Sequence, residues 1–300
     1  MTRRPVAIEI YLLADANVES GGILGEAGFA ALVSVKYDDS SEFRFLFDTG
    51  YGTPALEYNA KAMRDSYERD LSSIELIVLS HGHHDHVAGV MKVLSLINRR
   101  VPVLCHPDAL LHKIFRSDDG KRHEIGIHNY YSVSELEANA EVLTTREPHH
   151  IADGIMTTGV VPRTNDFEQI TGRLQKIVTV RDGMEMPDLI EDDLSVIFHL
   201  KDDSVVVLTG CCHSGIVNTV NHAVSLTGSS SVVGIVGGLH LHDASSERLN
   251  STVEHLRQYP LSVLGPCHCT GLRGRAALMY AFQDSFKDVG AGSLLKFESK

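Results

Sequence analysis

Short hydrophobic runs separated by polar turns predict a meander of strands at the start of the chain. The predicted strands are Val6 to Leu13, Phe29 to Tyr37 and Glu42 to Phe47. Asp38-Asp39-Ser40-Ser41 joins the last two and has the composition of a hairpin turn. A helix from Pro54 to Arg64, with its proline at the start, and a buried strand from Ile74 to Leu79 are predicted to follow.

The pattern then changes to alternating helix and strand, which is typical of an α/β protein. The next predicted elements are a helix, a strand and a helix, at Val87 to Ile97, Val101 to Cys105 and Pro107 to Phe115. Residues 116–171 are more polar and more interrupted, so we expect an elaboration there rather than an independent core. Within it, a capping box of Ser134 and Glu137 predicts a short helix from Ser134 to Asn139.

Regular patterning returns in the last part of the chain. The predicted strands are Gln175 to Val180, Leu194 to Leu200, Ser204 to Leu208, Ser231 to Val236 and Leu261 to Leu264. The predicted helices are Ser214 to Leu226, Ser246 to Arg257 and Leu272 to Phe286. Two similar halves of strands and helices predict two sheets packed face to face with helices outside, in one α/β domain over residues 1–300.

Composition narrows the class of protein. The 300 residues, 43% of them hydrophobic, can form a full core. A net charge of −12 repels polyanions, so we expect no nucleic-acid partner. Five cysteines, an odd number, give no disulfide framework, and we expect a cytoplasmic protein. Arg3 and Arg4 precede an apolar run, but Glu9 interrupts it, which favours a first strand over a signal peptide, and no segment is long enough to span a membrane.

The strand ending at Leu79 runs into a cluster of possible metal ligands, His81-Gly82-His83-His84-Asp85-His86. Imidazole nitrogens with a carboxylate suit zinc or another first-row metal better than calcium or magnesium. In an extended loop, His81, His83 and Asp85 point to one side and His86 to the other. Ligands that point to both sides of the loop favour the binding of two adjacent metal ions over the binding of one.

Other predicted strands also end in glycine, cysteine, histidine or aspartate. These stretches are Phe47-Asp48-Thr49-Gly50, Thr209-Gly210-Cys211-Cys212-His213-Ser214-Gly215, Gly237-Gly238-Leu239-His240-Leu241-His242-Asp243 and Gly265-Pro266-Cys267-His268-Cys269-Thr270-Gly271. Strand ends can meet at one rim of a sheet, so His213 and His268 are our candidates for the remaining metal ligands.

The pattern His81-x-His83-x-Asp85-His86 after a strand, preceded by Phe47-Asp48-Thr49-Gly50, resembles the metallo-β-lactamase superfamily. The resemblance implies an αββα sandwich of two mixed sheets, with one or two metals, usually zinc, at the sheet edge. Further stretches resemble the dihydropteroate-synthase-like branch, often labelled 7,8-dihydropterin-6-yl-methyl-4-(β-D-ribofuranosyl)aminobenzene 5′-phosphate synthase. They are Thr158-Gly159-x-x-Pro162-Arg163, Phe167-Glu168, Gly210-Cys211-x-His213-Ser214-Gly215-x-x-Asn218, Gly237-Gly238-x-His240-Leu241 and His268-Cys269-Thr270-Gly271.

The sequence departs from hydrolytic members of this superfamily at two places. Their Pro-Gly-His-Thr-like histidine has no counterpart in Pro187-Asp188-Leu189-Ile190-Glu191-Asp192-Asp193. Cys211 stands where the metal-bridging aspartate is usual. Either His213 supplies the third ligand of the first metal, or Cys211 binds as a thiolate, which zinc accepts readily.

The resemblance implies a dinuclear metal-dependent hydrolase or transferase acting on a small, anionic, phosphorylated or pterin-like substrate. Alternatives are a phosphodiesterase or nuclease, and a metal-binding sensor without turnover. The expected cofactor is two divalent ions, zinc first, with iron or manganese as alternatives. One would bind His81, His83 and His213, and the other Asp85, His86 and His268.

The remaining candidate site residues would support these metals or contact the substrate. Asp85 and His240 are the candidate catalytic residues, and Asp48 would fix the histidine loop. Arg163, His240, Arg273 and Arg275 are candidate substrate contacts. The two later arginines fall in the first turns of a predicted helix, where anions are favoured. Homo-oligomer formation is left open.

Overall fold

The structure, a computed structural model, describes residues 3–67 and 70–300. Its first strands are β1 (Ala7–Ala14), β2 (Ala30–Lys36), β3 (Glu42–Phe47), β4 (Leu76–Val78), β5 (Pro102–Cys105), β6 (Lys113–Arg116), β7 (Arg122–Glu124) and β8 (Glu141–Thr144). Those that follow are β9 (His149–Ala152), β10 (Ile155–Thr157), β11 (Ile177–Arg181), β12 (Met184–Pro187), β13 (Ser195–His199), β14 (Val205–Thr209), β15 (Val232–Gly238), β16 (Val263–Cys267) and β17 (Leu294–Glu298). The helices are α1 (Pro54–Tyr67), α2 (His84–Val87), α3 (Val90–Ile97), α4 (Val133–Asn139), α5 (Ile216–Thr227), α6 (Ser246–Leu256) and α7 (Gly271–Phe282).

Two large mixed sheets organise these elements. The first has the order β17-β1-β2-β3-β4-β5-β8, antiparallel up to β3 and parallel from β3 to β8. The second has the order β16-β15-β14-β13-β10-β9, in which β14, β15 and β16 run parallel. A smaller antiparallel sheet, β12-β11-β6-β7, was not predicted.

The core lies in three layers around these sheets. Between the two large sheets, side chains such as Ile10, Phe45 and Phe198 are fully buried, and the two phenyl rings stack at 6.2 Å. Helices α1, α3 and α4 bury their apolar faces on the outer side of the first sheet. Helices α5, α6 and α7 do so on the second. The predicted αββα sandwich is therefore confirmed.

The helix predicted from Pro107 to Phe115 is wrong. Only Pro107–Leu110 forms a single 3₁₀ turn, after which the chain extends into β6. The apolar spacing of this segment imitates a helix, but Ile114 pairs with Val178 of β11. Long-range strand pairing overrides a local propensity of this kind.

Two helix starts also differ from the prediction. Helix α4 is opened by a capping box of Ser132 and Glu135 instead of Ser134 and Glu137, because Ser132 is the residue with extended backbone angles. The predicted helix from Val87 to Ile97 is divided at Gly89, where a side chain would collide with the carbonyl of Thr49.

Residues 116–171 are integrated into the sheets more than their polarity indicates. Strand β8 extends the first sheet, and β9 and β10 extend the second. We propose that the chain forms one domain, with this segment as part of its framework. Among the described residues, every helix is too short or too polar to cross a membrane.

Candidate metal centre

The histidine loop follows β4 directly and is anchored to the end of β3. The Asp48 carboxylate accepts hydrogen bonds from the Ser80 backbone N–H and hydroxyl, each at 2.7 Å. Gly82 must lack a side chain, since a Cβ there would lie 2.6 Å from the Ala109 carbonyl oxygen. Asp48, Ser80, His81 and His86 are all fully buried, so the loop is packed into the interior of the protein.

His81, His83 and His213 form one group of possible ligands. His81 Nε2 lies 2.9 Å from His83 Nδ1 and 3.2 Å from His213 Nε2. Nitrogens bound tetrahedrally at about 2.0–2.1 Å from a zinc ion are roughly 3.3 Å apart, so the spacing fits one metal. His213 reaches this group from the loop after β14, in the opposite sheet.

Asp85, His86 and His268 form a second group beside the first. His86 Nε2 lies 3.1 Å from His268 Nε2, and Asp85 Oδ2 lies 3.4 Å from His268 Nε2. His268 follows β16, so this group also joins the two sheets. Two nitrogens and a carboxylate oxygen at this spacing suit zinc, iron or manganese.

Cys211 lies between the two groups. Its Sγ is 3.1 Å from His86 Nε2, and its ligand atom is also within 4.8 Å of those of His213 and His240. The two alternatives that the sequence left open are therefore geometrically compatible. His213 joins His81 and His83, while Cys211 joins Asp85, His86 and His268.

Buried carboxylates orient two of these ligands. Asp48 Oδ2 lies 2.7 Å from His86 Nδ1, which leaves His86 Nε2 facing the second group. A carboxylate in this position fixes the ring orientation of a metal-binding histidine. Asp15 Oδ2 accepts the His268 backbone N–H at 2.8 Å, a role that the sequence did not indicate.

The three histidines of the first group have lowered pKa values. Burial lowers the pKa of His81 and His213 well below the usual range, and the neighbouring histidines add to the effect. Burial, with Lys113 nearby, lowers the pKa of His83 to about 3. These imidazoles are therefore unprotonated near neutral pH, as metal binding requires.

The second group carries charge of both signs. Burial opposes ionisation of Asp85, but His86 and His268 outweigh it and lower the Asp85 pKa. Burial also opposes protonation of His268, yet Cys269, Asp85 and Asp15 together raise its pKa to about 9. A cation in this group would take the place of the His268 proton and would face the Asp85 carboxylate.

Comparison with known proteins identifies the family of this chain. A family model described as a beta-lactamase superfamily domain matches residues 43–162. An uncharacterized protein of Methanocaldococcus jannaschii is 31% identical over 271 residues, covering 90% of this chain and 93% of its own. The chain belongs to the metallo-β-lactamase superfamily.

Three further matches, one by sequence and two by structure, cover nearly the whole chain. The M. jannaschii 7,8-dihydropterin-6-methyl-4-(β-D-ribofuranosyl)-aminobenzene-5′-phosphate synthase is 28% identical over 296 residues, covering 97% of each chain. The crystal structure of a metal-dependent hydrolase of the β-lactamase superfamily matches with a TM-score of 0.77 and 24% identity, covering 97% of this chain and 99% of that one. Zinc-bound PqqB from Methylobacterium extorquens has a TM-score of 0.52 at 12% identity, covering 96% of this chain and 99% of that one.

His240 lies beside the first ligand group. Its ring centroid is 4.4 Å from that of His213, and its backbone has a positive φ of 44°. The Nδ1 atom is buried and makes no hydrogen bond among the described residues. The side chain of Cys269 also interacts with His240, so the imidazole is held beside the first ligand group.

The three candidate arginines are placed differently. Arg163 is half-buried, and its Nε is buried without a partner in the described part of the chain. Its guanidinium also interacts with Asp193, which accepts the backbone N–H of Ser214 next to His213. Arg273 is exposed. Arg275 pairs with Asp288, so a substrate role for Arg275 would require that ion pair to open.

The sequence did not single out two groups of residues next to the ligand loops. Tyr51 Oη lies 2.7 Å from His84 Nε2, and the Tyr130 ring contacts the same histidine. Asp192 and Asp193 are almost fully buried and accept backbone N–H groups of the ligand loops. Asp192 and Asp193 lie in the segment where the histidine usual in hydrolytic members is missing. The missing histidine was the sequence signal that could have drawn attention to these two aspartates.

Proposed function

We propose that the protein is a dinuclear metal-dependent enzyme that hydrolyses or transfers a group of a small anionic substrate. The observation that carries the proposal is the pair of adjacent ligand groups, His81 with His83 and His213, and Asp85 with His86 and His268. Their ligand atoms have metal-compatible spacings, and the buried Cys211 lies between them. We propose zinc as the metal, with iron or manganese as the alternatives.

When bound, a metal pair of this kind supplies a nucleophile from water near neutral pH and neutralises negative charge on a phosphoryl or carbonyl oxygen. The chain provides the framework for that chemistry. Asp48 holds the orientation of His86, and the Asp85 carboxylate faces His268. The close packing around His81 and Cys211, both almost fully buried, keeps bulk water away from the inner side of the site.

His240 is our candidate for proton transfer at the outer side of the site. Its free Nδ1 is the atom that would donate a proton to a leaving group or hydrogen-bond the substrate. Contact with His213 and the interaction with Cys269 hold the ring in place. Arg163 carries an unpaired buried N–H and is our candidate contact for an anionic group of the substrate.

The name of one relative and the net charge support the substrate class that we propose. One homologue is named for a product that contains a dihydropterin, an aminobenzene and a ribose phosphate. We propose a phosphorylated or pterin-like small molecule for this chain as well. With a net charge of −12, the protein as a whole is unsuited to nucleic acid.

A substrate screen with metal-loaded and chelator-stripped protein tests this proposal. Phosphodiester, lactone and thioester substrates report hydrolysis. A phosphate ester of a hydroxymethyl dihydropterin, supplied with and without an arylamine acceptor, separates hydrolysis from transfer. We expect metal-dependent turnover of a phosphorylated compound, abolished by His81→Ala. Full metal occupancy without turnover of any of these compounds would favour a metal-binding sensor and contradict the enzyme proposal.

A further inference from the structure

The loop between β12 and β13 reaches the histidine loop through one buried carboxylate. Asp192 is fully buried, and its Oδ2 accepts the Gly82 backbone N–H at 2.7 Å. Gly82 lies between the ligands His81 and His83 in the sequence. A hydrogen bond to that peptide therefore restrains the backbone between the two ligands.

The next residue makes the equivalent contact with the other ligand loop. Asp193 is 1% exposed, and its Oδ2 accepts the Ser214 backbone N–H at 2.9 Å. Ser214 follows His213 directly. The carboxylates of Asp192 and Asp193 thus hold the two loops that carry the three histidines. One loop follows a strand of the first large sheet, and the other follows a strand of the second.

A buried lysine fixes the first of these carboxylates. Lys113 Nζ donates to Asp192 Oδ1 and to Asp188 Oδ2, both at 2.8 Å, and its side chain is fully buried. Breaking a buried pair leaves an uncompensated charge, which is strongly destabilising. Asp192 is consequently held between Lys113 on one side and Gly82 on the other.

The backbone of the same loop is also constrained. Ile190 has a φ of 47° and is fully buried, a conformation that is unfavourable for a β-branched residue. Its N–H donates to Asp188 Oδ1 at 2.8 Å, which holds the strained residue in place. Such strain persists only where the surrounding contacts determine the conformation.

We propose that Asp192 and Asp193 are positioning residues that set the spacing of His81, His83 and His213 through the peptides of the two ligand loops. They lie in the segment where hydrolytic members of the superfamily carry a further histidine. In this chain, buried carboxylates organise the site from that segment while His213 supplies the ligand. The inference rests on the proposed function in one respect, that the three histidines bind a metal.

Asp188 offers a matched control for Asp192. Each carboxylate accepts a backbone N–H with one oxygen and the Lys113 ammonium with the other, but only Asp192 contacts a ligand loop. An amide has one accepting oxygen, so Asp→Asn at either position removes one of the two contacts. D192N and D188N should therefore lower the unfolding temperature of the metal-free protein by similar amounts.

Zinc titration in competition with a chromophoric chelator separates the two roles. The full chain with His268→Ala is used, so that the second ligand group is incomplete and the three-histidine group is measured. We expect D192N and D193A, which removes the oxygen that accepts the Ser214 N–H, to weaken zinc binding about 10- to 100-fold, whereas D188N leaves it at the value of the His268→Ala parent. Equal zinc affinity in D192N, D193A and D188N would overturn the positioning role alone. If neither the His268→Ala parent nor the wild-type chain binds zinc, both the proposed function and this inference would be overturned.

Discussion

His81 Nε2 and His213 Nε2 lie 3.2 Å apart, although 132 positions separate the two residues in the chain. His81 follows a strand of the first large sheet and His213 a strand of the second. A metal held by both would therefore link the two halves of the sandwich. Because such a metal binds only the folded chain, it would also stabilise the fold.

Replacing His213 and Cys211 separately by Ala tests which residue completes the first metal site. We expect His213→Ala to remove one equivalent of metal, since the Nε2 atom next to His81 is lost. Cys211→Ala should keep the three-histidine metal and weaken the second site, where Sγ lies 3.1 Å from His86 Nε2. Metal analysis after gel filtration measures both. Loss of metal only in Cys211→Ala would show that our assignment of His213 is wrong.

Replacing Asp48 by Asn should weaken the second metal site about 10- to 100-fold. The Asp48 carboxylate accepts from His86 Nδ1, and an amide group donating in its place would put the imidazole proton on Nε2, the atom facing the site. Chelator competition measures the affinity. Thr49→Val is the control, because it removes a hydrogen bond to the His86 backbone carbonyl without changing the ring proton. An equal effect of both variants would refute the orientation role of Asp48.

Gly215→Ala should destabilise the protein by about 2 kcal/mol or more. Gly215 has a φ of 92°, and a Cβ would overlap the carboxylate of Glu168. That carboxylate accepts the N–H groups of Val217 and Asn218 at 2.9 and 2.8 Å, at the start of α5. The matched control is Gly228→Ala at the other end of α5, where φ is 72° and no atom lies within 4 Å. Urea unfolding should show the smaller loss, about 1 kcal/mol, for the control.

The stability of the protein should fall between pH 10 and pH 12 partly because of Tyr37. Burial, with Asp153 nearby, raises the pKa of Tyr37 to about 12 from an ordinary value of 10. Below pH 10 the phenol is neutral in both states, whereas between these values only the unfolded chain loses the proton, so alkali favours unfolding.

Tyr37→Phe isolates this contribution. The variant loses a hydrogen bond to the Asp153 carbonyl oxygen at 2.8 Å, so we expect lower stability at pH 9. Its further loss up to pH 12 should be smaller than that of the wild type by about 1–2 kcal/mol. Urea unfolding at both pH values measures the difference. Parallel losses in the two proteins would contradict the raised pKa.

The sequence predicted the sandwich, and its candidate ligands His81, His83 and His213 lie near one another in the structure, as do Asp85, His86 and His268. Apolar runs mark most strands of the two large sheets, although β8, β9, β10 and β17 were missed. Candidate ligands follow the ends of predicted strands within a few residues, as His81, His213 and His268 do. The order of the strands in the sheets brings these strand ends to one rim. A family resemblance predicts that order, whereas the spacing of residues along the sequence does not.

The supporting residues could not be predicted in the same way. Lys113 was placed on a helix, where a lysine is usually solvated, but it lies buried in β6 between Asp188 and Asp192. Asp15 contacts His268 across 253 positions of sequence. Single aspartates of this kind carry no spacing pattern, so only tertiary structure shows which of them hold a ligand loop. Strand β17 was missed for a related reason, since it gains its partner in β1 at the far end of the chain.

Metal content of the purified protein tests whether the two ligand groups hold two metal ions. The chain would be purified without chelator, its folding checked by circular dichroism, and its zinc, iron and manganese measured by inductively coupled plasma mass spectrometry. We predict close to two equivalents of metal in the wild type, falling to about one in His213→Ala and in His268→Ala. A correctly folded wild-type protein that holds no metal, even after incubation with zinc, iron or manganese, would contradict the account.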